Sequence, residues 1–132
     1  MTIKDHPNVA LFNQLDPANI AQSADILSEN FVWHFFNPTL PQIEGDYVGL
    51  EGLQRFFEIL SVMTDDTFWV EPISIAPIGD ELVITHVKDR MTLNGAPIEL
   101  DAVVVWRVVD GLLAEAWDIP SVYNDVPQPI AT

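Results

Sequence analysis

Between Phe68 and Pro120 the chain alternates β-rich runs with three turn signals, Gly79-Asp80, Asn94-Gly95 and Asp110-Gly111. No other feature narrows the fold as far. Asn-Gly and Asp-Gly pairs tolerate the positive φ angles that tight hairpins require, so the segment describes four successive antiparallel strands. The helical patterns all lie upstream. Helices first and strands last is the α+β arrangement, in which N-terminal helices pack on a curved mixed or antiparallel sheet, rather than the alternation of a parallel sheet.

Upstream, Val9, Phe12 and Leu15 form a short apolar stripe consistent with core packing, and Asp16-Pro17 reads as the start of a second helix carrying Ile20, Ala24 and Leu27. Phe31 to Phe36 is aromatic and β-branched and stops at Asn37-Pro38, which predicts a strand. Pro38 to Gly49 reads as a loop. Leu50 to Met63 is an amphipathic helix with Leu50, Leu53, Phe57 and Leu60 on its buried stripe and Gly49 and Gly52 at its start.

A chain of 132 residues, 48% hydrophobic and 19% charged, suits one domain over 1–132, with an ordered core over about 7–123 and a loose tail over 124–132. Five Lys and Arg against twenty Asp and Glu give a net charge of -15, which repels phosphate backbones and anionic lipid and argues against nucleic-acid and membrane partners. A neutral, apolar or aromatic ligand fits that charge better. The absence of cysteine removes disulfides and thiolate chemistry and makes the cytoplasm the default location. Met1 to Pro7 lacks a basic segment followed by an apolar run, and no stretch reaches the ~20 apolar residues of a membrane span.

Along Ile98 to Val109 the even positions (Ile98, Leu100, Ala102, Val104, Trp106, Val108) are apolar, so that face points inward. Val103, Val105 and Val109 leave the other face half apolar, which suggests homodimerisation through the sheet. The following strand, Leu112 to Asp118, can pair in two registers. A three-residue bulged turn sets Val108 against Leu112, Trp106 against Ala114 and Val104 against Ala116, with Asp118 pointing inward; a two-residue turn puts Trp117 inside instead. Large-against-small packing favours the first.

The pieces Asn30-Phe31-Val32-Trp33-His34, Gly45-Asp46-Tyr47-Val48-Gly49-Leu50-Glu51-Gly52 and Trp106 through Asp118 resemble, in order and spacing, the SnoaL-like branch of the nuclear transport factor 2-like superfamily. The resemblance implies a cone-shaped α+β fold around one pocket. It leaves activity open, because the superfamily holds isomerases, cyclases, hydrolases, dehydratases and non-catalytic binding domains.

In SnoaL-like polyketide cyclases an Asp near the end of the last strand acts as acid/base, and Asp118 matches that position. A carboxyl in an apolar cavity suits the role, because desolvation raises its pKa toward a working range; the alternative is an Asp that caps the strand end. His86, mid-strand, is a candidate second proton-transfer group, or else a histidine satisfied in the core or on the outer face. Trp33 and His34 occupy opposite faces of one strand, and Trp33 is the preferred pocket liner of the two. Tyr47, Phe57, Val104 and Trp106 complete the candidate ligand contacts.

Some features depart from the wider superfamily. The oxyanion-hole Asp of ketosteroid isomerases falls at Val104, and the Arg and Asp pair of the epoxide hydrolases is not reproduced in spacing, although Lys88, Asp89 and Arg90 lie nearby. No phosphate-cradling glycine loop occurs, and His6, His34 and His86 lack a metal-ligand spacing, so the expectation is a site with neither metal nor cofactor. The functional expectation is a small-molecule-binding protein, either an isomerase or cyclase working by proton transfer or a non-catalytic module.

Overall fold

The computed structural model describes residues 6–122, so the tail expected over 124–132 lies outside the described residues. Six strands form one mixed, curved and unclosed sheet: β1 Leu27–Phe35, β2 Gly45–Val48, β3 Trp69–Ile78, β4 Leu82–Leu93, β5 Ala96–Val109 and β6 Leu112–Pro120, in the order β2-β1-β6-β5-β4-β3. The α+β class expected from sequence is therefore the fold observed. The three turn signals all sit between strands. At Asn94-Gly95 and Asp110-Gly111 both residues take positive φ (54° and 80°, 53° and 78°), the geometry that matches the twist of two-residue hairpins.

β1 pairs parallel with β6, which joins the two ends of the sequence and makes the sheet mixed. Hydrophobic alternation alone does not reveal a pairing this distant in sequence. Two local expectations are corrected as well. Asp16 accepts a hydrogen bond from the Ala18 amide (2.9 Å) in a turn and does not start an α-helix; a 3₁₀ segment, Ile20–Ile26, follows, and Leu27 opens β1 instead of extending a helix. The expected loop before Gly49 contains β2, which covers the free edge of β1.

α1, Pro7–Ala10, is tied to the β3–β4 turn by Asn8, whose side-chain amide donates to the Asp80 carbonyl at 2.9 Å. α2, Gly49–Met63, lies across β1 and buries Leu53, Phe56 and Leu60. Phe31, Leu53, Phe56, Val83 and Leu113 are completely or almost completely enclosed and form the centre of the core.

The close approach of α2 to β2 depends on Gly52, where an added Cβ would lie 2.8 Å from the backbone carbonyl carbon of Tyr47. Backbone cannot yield as a flexible side chain does. Gly52→Ala is expected to lower unfolding free energy by about 1–3 kcal/mol, measured by urea denaturation, whereas Ala at the open Gly79 site costs only its strained φ of +62°.

Candidate functional site

The β5–β6 hairpin places the buried carboxyl. Pairing starts in the two-residue register, Val109 with Leu112 and Val108 with Leu113, and then shifts by a bulge, so that Arg107 meets Glu115, Trp106 meets Ala116 and Val104 meets Asp118. Neither register expected from sequence runs the length of the hairpin. The tight turn alone would send Asp118 outward, and the extra residue at Ala114 restores its inward direction. Burial shows the reset: Leu113, Ala116 and Asp118 are the enclosed residues of β6, spaced by three and then by two.

Asp118 lines a cavity of about 600 Å³ beneath α2, within the ~300–1,000 Å³ typical of small-molecule sites. Trp33 and Phe57 form part of the wall with Val104 and Trp106, and Phe12, Phe56 and Phe68 add further rings. These aromatics also pack on one another: Trp33 lies 5.5 Å from both Phe56 and Trp106, and Phe12 meets Trp106 edge-on at 5.0 Å. Thr85 faces the cavity too, but its hydroxyl accepts from Trp106 Nε1 at 3.0 Å, which fixes the indole. Asp118 is 7% exposed and makes no side-chain hydrogen bond among the described residues.

Three sequence candidates lie elsewhere. Thr85 and Val87 face the cavity, so strand alternation puts His86 on the outer face, where Nε2 meets Asp101 Oδ1 at 2.8 Å and holds that carboxyl below its usual range. The expected opposition of His86 and Asp118 is therefore not realised. His34 is also outward. Its ring nitrogens lie 2.6 Å from Asp46 and 2.7 Å from Glu115, and the ring stacks on Trp117. Burial acts to lower the His34 pKa, but the two hydrogen bonds and their charges outweigh it and raise it. Tyr47 is buried outside the cavity lining, with its hydroxyl donating to the Ile43 carbonyl at 2.6 Å.

A SnoaL-like domain model matches residues 9–116, most of the chain. The chain belongs to the SnoaL-like domain family. Solved structures share the fold of this SnoaL-like chain at low identity. A SnoaL-like polyketide cyclase assigned as putative, from Jannaschia sp. CCS1, is 12% identical with a TM-score of 0.71, covering 92% of this chain and 93% of its own. TerC, co-crystallised with polyporic acid, is 18% identical with a TM-score of 0.75, over 89% and 94% of the two chains. An isomerase from Rhodopseudomonas palustris, also assigned as putative, is 16% identical with a TM-score of 0.63, over 98% and 96%. No protein of curated function matches. No described helix of the SnoaL-like chain is long and apolar enough to cross a membrane.

Asp89, noted in the sequence only for lying near the epoxide-hydrolase positions, is not among the expected site residues. It follows Thr85 and Val87 on the same face of β4, and burial raises its carboxyl to about 7. Alternation would have found it once either neighbour was known to face inward. Asp118 is pushed well above the usual carboxylate range, first by burial and then by the negative charge of Asp89. No Lys, Arg or His among the described residues lines the cavity to offset the Asp118 carboxyl.

The pH dependence of this SnoaL-like fold follows. The folded chain holds the Asp89 proton more tightly than the unfolded chain does, so its contribution to stability is fully present below about pH 4. It is lost as pH rises toward about 7. Asp89→Asn is expected to raise the melting temperature more in mildly alkaline buffer than in acid, and equal shifts at both ends would contradict the burial argument.

Proposed function

We propose that this SnoaL-like protein is a small-molecule enzyme of the isomerase or cyclase type, with Asp118 moving a proton on a neutral, apolar substrate. The observation that carries this reading is a carboxyl enclosed in an aromatic cavity without a protein partner among the described residues. Burial and then the negative charge of Asp89 raise its pKa well above the usual carboxylate range, the direction that suits a general acid. Trp33, Phe57, Val104 and Trp106 hold the ligand body. The co-crystallisation of TerC with polyporic acid supports small-molecule binding in a protein of this fold. Proton transfer of this kind draws on side chains alone and calls for no cofactor.

The test is turnover on a panel of cyclic ketones and cyclisation precursors. Asp118→Asn is expected to lower kcat by about 10²–10⁴-fold while the protein stays folded. A ligand that binds the wild-type cavity but is never turned over favours a non-catalytic binding module, the second reading; that module would still use the same aromatic walls.

The outer sheet face supports a homodimer. Ile84, Val105 and Trp117 lie side by side across β4, β5 and β6, and Val103 and Ile119 are paired in the next row, with Ile84, Val103 and Ile119 all exposed. Burial of this patch against a second copy removes apolar surface from water. Light scattering is expected to give about twice the 14.8 kDa chain mass, and Val103→Glu to reduce it to one chain. The charge balance and the absence of cysteine favour a cytoplasmic protein with neither nucleic-acid nor membrane partners.

A further inference from the structure

The cavity wall holds a second enclosed polar group besides Asp118. Among the described residues, Trp33 Nε1 is the fully enclosed side-chain nitrogen without a hydrogen-bond partner, and Trp33 as a whole is only 4% exposed. Its neighbours explain this. Phe56, Phe57 and Trp106 pack around the indole with ring centroids 5.5, 6.0 and 5.5 Å away, and their side chains offer no acceptor. Tyr47, its partner on β2, commits its hydroxyl to the Ile43 carbonyl. The other wall tryptophan differs, because Trp106 Nε1 donates to the Thr85 hydroxyl at 3.0 Å.

Buried indole N–H groups ordinarily find an acceptor, since an unpaired donor away from water costs stability. An indole can only donate, so an acceptor carried by a ligand recovers the bond that the fold leaves unmade. Asp118 lies on the same face, two residues beyond Ala116, the β6 partner of Trp33. Burial and the charge of Asp89 favour the protonated form of its carboxyl, which presents an O–H. The remaining polar lining residues do not compete: Thr85 is taken by Trp106, and Asn13 and Ser74 are exposed. Two donors on one wall suit a carbonyl oxygen, which has two lone pairs, better than a ring nitrogen, which has one. An anion would lack a counter-charge, because no described Lys, Arg or His lines the cavity.

We propose that Trp33 sets the specificity of the cavity: its indole N–H donates to the carbonyl oxygen of a neutral ring ligand, whose second lone pair faces the Asp118 carboxyl. This rests on the reading of the cavity as the ligand site. A purely apolar ring of the same shape makes the same wall contacts and leaves the indole unpaired.

Fluorenone and fluorene, flat rings of nearly equal size that differ in a carbonyl against a methylene, test this. Trp33→Phe keeps an aromatic wall and removes the N–H. The ratio of fluorenone to fluorene affinity is expected to fall about tenfold in this variant, and a general loss of packing, which weakens both ligands, does not move that ratio. In the wild-type chain the Trp33 indole proton resonance is expected to shift downfield with fluorenone and not with fluorene, a readout that holds even where the Phe variant folds poorly. An unchanged ratio, or an indole resonance that responds alike to both ligands, overturns the Trp33 inference and leaves the cavity reading standing. No binding by either ligand overturns both.

Discussion

The arrangement of the cavity depends on keeping one face of β5 and β6 apolar while a carboxyl is carried into it. Trp106 and Val104 form one side of the hairpin and Ala116 and Asp118 the other, so each bulky side chain has a smaller neighbour across the strands. A tight Asp110-Gly111 turn alone would set the opposite parity beyond the turn. The bulge at Ala114 reconciles a two-residue turn, whose twist suits the strands, with the side-chain directions the interior requires. It also leaves Trp117 outside, between the His34 ring and the Arg107 guanidinium.

From that hairpin the rest of the site follows by contact. β1 lies beside β6 in parallel and brings Trp33 into the row of Ala116 and Trp106. α2 crosses over β1 and closes the cavity with Phe56 and Phe57, held close to β2 by the absence of a side chain at Gly52. On the outer face the same strands carry ion pairs in succession across the sheet, including Arg90 with Glu71 and Glu99 and Lys88 with Asp101. The described cations of the strands are thus placed on the outer face and the unpaired Asp118 carboxyl on the inner one. In a chain with five basic residues and twenty acidic ones, that division fixes the chemistry of the cavity.

How much could be read in advance differed from residue to residue. Trp33 and His34 had to fall on opposite faces, and the aromatic one went inward because a histidine outside can pair with Asp46 and Glu115. His86 and Asp89 were harder. Their strand is half-buried along most of its length, so no clean alternation marks its inner face. Only the neighbouring strands decide it, by setting Thr85 against Val104 and Val87 against Ala102.

The sequence by itself determined the class of fold, the three hairpin turns, the long helix and the apolar face of β5, because period and turn chemistry are properties of neighbouring residues. It also determined the net charge and the family likeness. The tertiary structure alone decided the parallel β1–β6 pairing, the bulge that turns Asp118 inward, the outward placement of His86 and the proximity of Asp89 to Asp118. These depend on contacts between residues distant in the chain, where a shift of one residue reverses every side chain and only packing against the other strands selects one arrangement.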